Sequence, residues 1–168
     1  MSRRVLLIGM MGVGKTTVGR ALAARMGWAH LDSDRQVEQA TGRSVPEILR
    51  TDGEAAFRVE EKRALETALA SHDPVVVSVA GGAVLDPENR RLLRQAGLVV
   101  WLRAEVVTLA GRVGDGEGRP LLGNDPPSAL AALDQQRRPL YAELAELVVD
   151  VDTSTPHQVV EEIVACLG

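Results

Sequence analysis

Aromatic residues are scarce in this 168-residue chain: two tryptophans, one tyrosine and one phenylalanine. A core built without them is aliphatic, and a stacking platform for single-stranded nucleic acid is excluded. Cysteine occurs once, as Cys166, so no internal disulfide can form, which fits a reducing cytoplasm. Its place in an apolar C-terminal helical pattern predicts a buried, inert thiol. No run approaches the roughly 20 apolar residues that cross a bilayer. Excess positive charge is also missing. The net charge is −4, which argues against nucleic acid as the main partner. Neither internal repeats nor low-complexity segments interrupt the chain. A composition 45% apolar and 25% charged is that of one soluble globular domain with a full core.

The most informative stretch is Val5-Leu6-Leu7-Ile8-Gly9-Met10-Met11-Gly12-Val13-Gly14-Lys15-Thr16-Thr17-Val18. Gly9, Gly14, Lys15 and Thr16 fit G-x-x-x-x-G-K-[ST], the phosphate-binding loop. An apolar strand precedes it. A helix comes after, with Val18, Ala21, Leu22 and Met26 on one face. Glycines let successive N–H groups curl round a polyphosphate, and the helix start adds free N–H groups and a positive dipole end. Lys15 is placed to reach the outer phosphates and Thr16 to ligate Mg²⁺. Arg3-Arg4 before apolar residues also has the outline of a secretory leader. The Gly-Lys-Thr-Thr after it lacks the small-residue cleavage pattern, and the strand reading is preferred.

Further strands are expected over 28–32, 75–79, 98–102 and 147–151. Helices are expected to Thr41, then over 45–51, 54–71, 87–96, 105–113 and 128–146, with a last one opened near Pro156. Pro139 predicts a kink or break. Residues 114–127 carry four glycines and three prolines and read as a long loop. Apolar strands alternating with helices predict an α/β fold, a doubly wound parallel sheet covered on both faces. Ligands of such sheets bind at the carboxyl ends of the strands. Chemistry is therefore expected in the segments immediately after strands one to three.

Asp32-Ser33-Asp34 closes strand two. Ser33 and Asp34 are good helix N-caps. Two acids beside a phosphate loop also suit catalysis, with Asp32 holding Mg²⁺ through its waters and Asp34 positioning or deprotonating a hydroxyl. Gly81-Gly82 comes after strand three and leaves bare N–H groups for a ligand oxygen. Arg119 sits in the 114–127 segment, a candidate lid that excludes water and delivers a cation to a transferring phosphoryl group. Arg58 and Arg137-Arg138 read on their own as solvated helix charges.

Taken together, Gly9 to Thr16, Asp32-Ser33-Asp34, Asp52-Gly53-Glu54-Ala55-Ala56-Phe57-Arg58-Val59-Glu60-Glu61, Gly81-Gly82-Ala83-Val84, Arg119-Pro120-Leu121-Leu122 and Arg137-Arg138-Pro139-Leu140-Tyr141 resemble the shikimate kinase family across nearly the whole chain. The resemblance implies a nucleoside monophosphate kinase-like P-loop fold: three-layer α/β/α, a five-stranded parallel sheet and a mobile lid. It implies one domain over 1–168, with a substrate-binding region near 33–61 and a lid near 112–125. The implied reaction moves the ATP γ-phosphoryl group to the 3-hydroxyl of shikimate, with Mg²⁺, on the route to chorismate and the aromatic amino acids. Implied catalytic residues are Lys15, Asp34 and Arg119. Asp34, Arg58, Gly81, Gly82 and Arg137 would bind shikimate, with Glu61 orienting Arg58. Gly12, Val13, Gly14, Lys15, Thr16, Thr17, Arg112 and Arg119 would hold ATP. Arg112 would stack near adenine, and a loop near Thr153–Pro156 matches the adenine loop loosely. Thr16 and Asp32 would serve Mg²⁺. The partners implied are ATP and shikimate, with neither nucleic acid nor membrane, for a cytoplasmic monomer.

Ala80 departs from the family, which commonly has glycine there; a modest effect is expected. No Asp ends strand three, which agrees with Asp32 serving the metal. A gluconate-type kinase is the nearest alternative, and a nucleotide-binding switch without an acceptor substrate is the alternative of another class.

Overall fold

A computed structural model describes residues 3–70 and 74–168. Strands β1 (Arg4–Ile8), β2 (Ala29–Asp32), β3 (Val75–Ser78), β4 (Leu98–Arg103) and β5 (Leu147–Asp150) form one sheet in the order β2-β3-β1-β4-β5. Every pairing is parallel. The helices are α1 (Lys15–Met26), α2 (Ser33–Thr41), α3 (Val45–Thr51), α4 (Glu54–Ala70), α5 (Pro87–Ala96), α6 (Val106–Val113), α7 (Pro126–Leu144) and α8 (Pro156–Leu167). Helices α1 and α8 pack together on one face, and α4, α5 and α7 pack in series on the other. The expected three-layer α/β/α fold is the fold found.

Burial explains the strand sequences. Val5, Leu6, Leu7, Val75, Val76, Val77, Val99 and Val100 are all fully buried, since helices cover both faces of the central strands. The edge strand β2 differs, being exposed at Ala29 and half-buried elsewhere. A second, smaller cluster of Val37, Ile48, Phe57 and Ala64 ties α2, α3 and α4 together beside the sheet. No helix among the described residues is long and apolar enough to cross a membrane.

Three expectations are corrected. Cys166 is exposed rather than buried, because α8 turns Val159, Val160 and Ile163 inward and leaves Cys166 off that stripe. Helix α7 begins at Pro126, inside the stretch read as loop. Asp125 caps it by accepting from the Ser128 N–H at 3.4 Å, and two prolines suit a first turn whose N–H groups lack helical partners. Pro139 neither ends nor breaks that helix. It lies on the exposed face together with Gln135, whose carbonyl loses its helical donor at a place open to water.

The register aligns the carboxyl ends of the strands. Ser78 pairs with Leu7 on one side and Asp32 on the other. The segments after β1, β2 and β3 therefore emerge level and side by side. The turn after β3 is fastened from both flanks, by the Ala80 N–H donating to Ser33 Oγ at 2.8 Å and by the Tyr141 hydroxyl donating to the Gly81 carbonyl at 2.6 Å.

Candidate active site

A cavity of about 600 Å³ opens at this edge. Its walls include Gly12, Gly14, Lys15, Thr16, Thr17, Asp32, Asp34, Arg58, Glu61, Gly81, Gly82, Arg112, Arg119 and Arg137. Residues expected from seven separated stretches thus meet in one place. Val13 is the exception: its side chain is 2% exposed, in the core beneath the loop.

The phosphate loop leaves β1 at Gly9, where φ is 144° and a Cβ would lie 2.5 Å from the Leu102 carbonyl oxygen. Only glycine fits there. Gly14, at φ 104°, supplies the N-cap of α1 in a left-handed conformation that a side chain would strain. Lys15 Nζ donates to the carbonyls of Gly9 at 2.7 Å and Met10 at 3.1 Å, so the ammonium folds back over its own loop. Burial lowers Lys15 to about 8, with Asp34 and Asp32 opposing and Arg137 and Arg119 assisting. The ammonium remains charged at neutral pH.

Asp32, rather than Ser33 or Asp34, is the N-cap of α2. Its Oδ1 accepts from the N–H groups of Asp34 at 3.1 Å and Arg35 at 3.3 Å. Its Oδ2 accepts from the Thr16 hydroxyl at 2.6 Å. With its O–H directed at Asp32, the Thr16 oxygen turns its lone pairs outward. The described residues hold no cluster of three acidic, His or Cys side chains able to bind a metal by themselves. One hydroxyl backed by one carboxylate suits Mg²⁺, which keeps several waters and takes phosphate oxygens as ligands.

Asp34 faces the cavity as a solvent-accessible side chain, with protein packed around its other sides. That crowding, reinforced by the nearby Asp32 charge, pushes its carboxyl up to about 6 against the pull of Lys15. It is an ionised but basic carboxylate at neutral pH, the condition wanted of a general base.

Arg58 projects from α4 and donates through Nη1 to both Glu61 oxygens, at 3.0 and 2.9 Å, and through Nη2 to Glu54 at 3.0 Å. Burial alone would lower Arg58, but the Glu61 charge and the bonds to Glu61 and Glu54 hold it above its ordinary value. Glu61 is 2% exposed. Burial pushes it up to about 7, with Arg58 opposing. Orientation of Arg58 by Glu61 is therefore found as expected.

The two arginines of Arg137-Arg138 separate. Arg138 turns away, to Asp134 at 2.9 Å and the Ala104 carbonyl at 3.0 Å, over the Trp101 ring. Arg137 is 2% exposed yet reaches the cavity, and its Nε has no hydrogen-bond partner among the described residues. A buried guanidinium with an unsatisfied donor suits an anionic ligand group.

Arg119 reaches the cavity from a turn closed by its N–H on the Gly116 carbonyl at 2.9 Å. Arg112 also lines it. Its guanidinium donates to the carbonyls of Val13 at 3.1 Å and Val151 at 3.2 Å, clipping the phosphate loop to the end of β5. Residues 153–156 lie outside the cavity wall, and Thr155 caps α8 there. Ala80 adopts no positive φ, so the alanine sits in the turn without backbone strain.

Sequence reasoning missed a group behind the loop. His30 Nε2 contacts Ser78 Oγ at 2.9 Å, and that hydroxyl donates to the Lys15 carbonyl at 2.9 Å. Gly19 makes room for them, since a Cβ there would lie 2.6 Å from both His30 Nε2 and Ser78 Oγ. A glycine inside a helical pattern was the available signal.

A family model described as shikimate kinase matches residues 11–168. The chain is similar to a shikimate kinase of Ruegeria pomeroyi, 43% identical over 167 residues, spanning 99% of this chain and 85% of that protein. It superimposes on a solved shikimate kinase from Acinetobacter baumannii in complex with shikimate with a TM-score of 0.94 at 34% identity, covering 98% of this chain and 92% of the other. A gluconokinase from Sinorhizobium meliloti gives a TM-score of 0.65 at 24% identity, covering 98% and 90%. At that identity the likeness is one of fold alone.

Proposed function

The chain belongs to the shikimate kinase family, and from that premise we propose a division of its cleft into a donor half around Lys15 and an acceptor half around Asp34, Arg58 and Arg137. The reaction transfers the γ-phosphoryl group of ATP to the 3-hydroxyl of shikimate, in aromatic biosynthesis. The observation that carries the division is the meeting of these side chains, with Arg119, Gly81 and Gly82, around one cavity.

In the donor half, the loop N–H groups of Gly12 to Thr17 cradle phosphate oxygens, and Lys15 and Arg119 face the group in transit. Arg112 lies along the nucleotide. Thr16, and Asp32 through water, would hold Mg²⁺, which would supply neutralisation of the phosphate charge. In the acceptor half, Arg58 and Arg137 bind the shikimate carboxylate by charge-assisted bonds, and the Gly81 and Gly82 N–H groups add to them. Asp34 holds the attacking hydroxyl. As the new O–P bond forms and the bond to ADP breaks, the hydroxyl proton passes to Asp34.

Positioning and preorganised charge supply most of the rate, since phosphoryl transfer asks for little covalent help. The segment near 112–125 closes as a lid that keeps water from becoming the acceptor. We also propose that residues 1–168 act as one domain and as a cytoplasmic monomer. The exposed large apolar side chains are confined, among the described residues, to Val59, Val107 and Val148, which supports the monomer. Light scattering on a sizing column checks it.

A coupled ADP-release assay with and without shikimate tests the reading. ADP release that requires shikimate, and that gluconate does not replace, is the expected result. Release independent of shikimate would overturn it.

A further inference from the structure

Tyr141 is a fully buried phenol to which no step above gives a role. It lies one helical turn beyond Arg137 on α7, so the two side chains share a face. Its hydroxyl donates to the Gly81 carbonyl at 2.6 Å. A Cβ built at Gly81 would fall 3.3 Å from Arg137 Nη1 and 3.5 Å from the Tyr141 oxygen. Both polar groups thus close on the same turn after β3. The Tyr141 ring is fixed from behind by Trp101, with centroids 5.8 Å apart. Its ionisation is pushed far up by burial, although the nearby Arg137 charge opposes this, so the hydroxyl stays a donor throughout the working pH range.

Peptide geometry turns this contact into a directional device. In a trans peptide the carbonyl of one residue and the N–H of the next point in opposite directions. Tying the Gly81 carbonyl to buried Tyr141 therefore aims the Gly82 N–H the other way. The N–H groups of Gly81 and Gly82 bond to no described residue.

We propose that Tyr141 is the positioning residue of the acceptor half: its hydroxyl fixes the Gly81–Gly82 peptide, beside the Arg137 guanidinium, so that the Gly82 N–H receives the shikimate carboxylate. The inference rests on the assignment of Arg137, Gly81 and Gly82 to shikimate. It adds a residue that does not touch the substrate and acts through the Gly82 N–H.

The test is Tyr141→Phe, which removes one oxygen and keeps the ring on Trp101. The KM for shikimate is expected to rise about tenfold, the scale of one hydrogen bond to a charged group, with the KM for ATP and kcat within about twofold. A purely structural loss would move both KM values together. A folded Tyr141→Phe enzyme with an unchanged shikimate KM overturns the role. Arg137→Ala alone separates the two levels: a raised shikimate KM there with an unmoved one in Tyr141→Phe defeats the positioning role only, whereas an unmoved KM in Arg137→Ala defeats the carboxylate assignment beneath it. Should Tyr141→Phe not fold, the ¹³Cζ resonance of Tyr141 in the wild-type protein carries the test. It is expected to shift on shikimate titration together with the Gly82 amide, and an unmoved Cζ overturns the role.

Discussion

Gly82 lies directly against the Arg58 guanidinium: a Cβ at 82 would stand 2.6 Å from Nη2 and 2.7 Å from Cζ. The backbone of Gly82, at φ −89° and ψ −4°, has a negative φ and is open to alanine, as in the third position of a type I turn. Gly82→Ala therefore tests contact alone, without backbone strain. Arg58 must leave its place on Glu61, and the KM for shikimate is expected to rise about tenfold or more, with the KM for ATP unchanged. Steady-state kinetics with each substrate varied in turn checks it; equal movement of both constants would contradict it.

Ala80 gives the opposite expectation two residues away. It is 7% exposed and free of positive φ. Ala80→Gly is expected to leave both KM values in place and to cost about 0.5–1 kcal/mol through added freedom of the unfolded chain. Urea denaturation reads the second quantity.

Arg58 also carries a stability consequence. Arg58→Ala leaves Glu61 buried at 2% exposure without its cation, at a cost of about 3 kcal/mol when ionised. Glu61 already stands up at about 7 through burial, with Arg58 opposing. An acid whose folded pKa lies above its unfolded one loses stability as pH rises through that interval. The melting-temperature deficit of Arg58→Ala is thus expected to be small near pH 5 and larger near pH 8. A deficit that shrinks with rising pH would contradict the pairing.

Gly19→Ala sets two effects against each other. Alanine favours a helix interior by about 1 kcal/mol, but its methyl would stand 2.6 Å from His30 Nε2 and Ser78 Oγ. Overpacking of about 1–3 kcal/mol wins. The variant is expected to melt lower and, by disturbing the Ser78 bond to the Lys15 carbonyl, to raise the KM for ATP. A more stable variant would contradict the packing.

The fold was largely legible because it is written in one dimension. Short, β-branched apolar runs such as Val75-Val76-Val77 read as doubly covered strands, and glycines such as Gly27 and Gly42 end helices in left-handed conformations. The site was legible in its residue types, but not in how they bond. That Asp32 caps α2 while accepting from the Thr16 hydroxyl, that Arg137 is buried and Arg138 is not, and that Tyr141 holds Gly81 all depend on side chains meeting across elements. Periodicity carries no signal for such meetings. Cys166 was misread for the same reason, since an apolar helix end does not say which of its faces meets the sheet.

The pH dependence of kcat/KM depends on two groups of the free enzyme. Asp34, raised to about 6 by burial and Asp32, must be ionised, so activity falls as pH drops through that value. Lys15, lowered to about 8 by burial, must be protonated, so activity falls as pH climbs past it. A bell with limbs near these values is expected from initial rates across about pH 5–9.5, and a flat profile between the two limbs and beyond them would contradict it.

The most direct measurement is the turnover of Asp34→Asn at saturating ATP and shikimate, with shikimate binding followed separately by calorimetry. The carboxylate is an acceptor for the hydroxyl proton, and the amide is not. A fall in kcat of about 10²–10⁴-fold, the scale of general-base catalysis, with shikimate still bound and the fold retained, is the expected result. Wild-type turnover would contradict it and leave Asp34 no more than a residue in the first turn of α2.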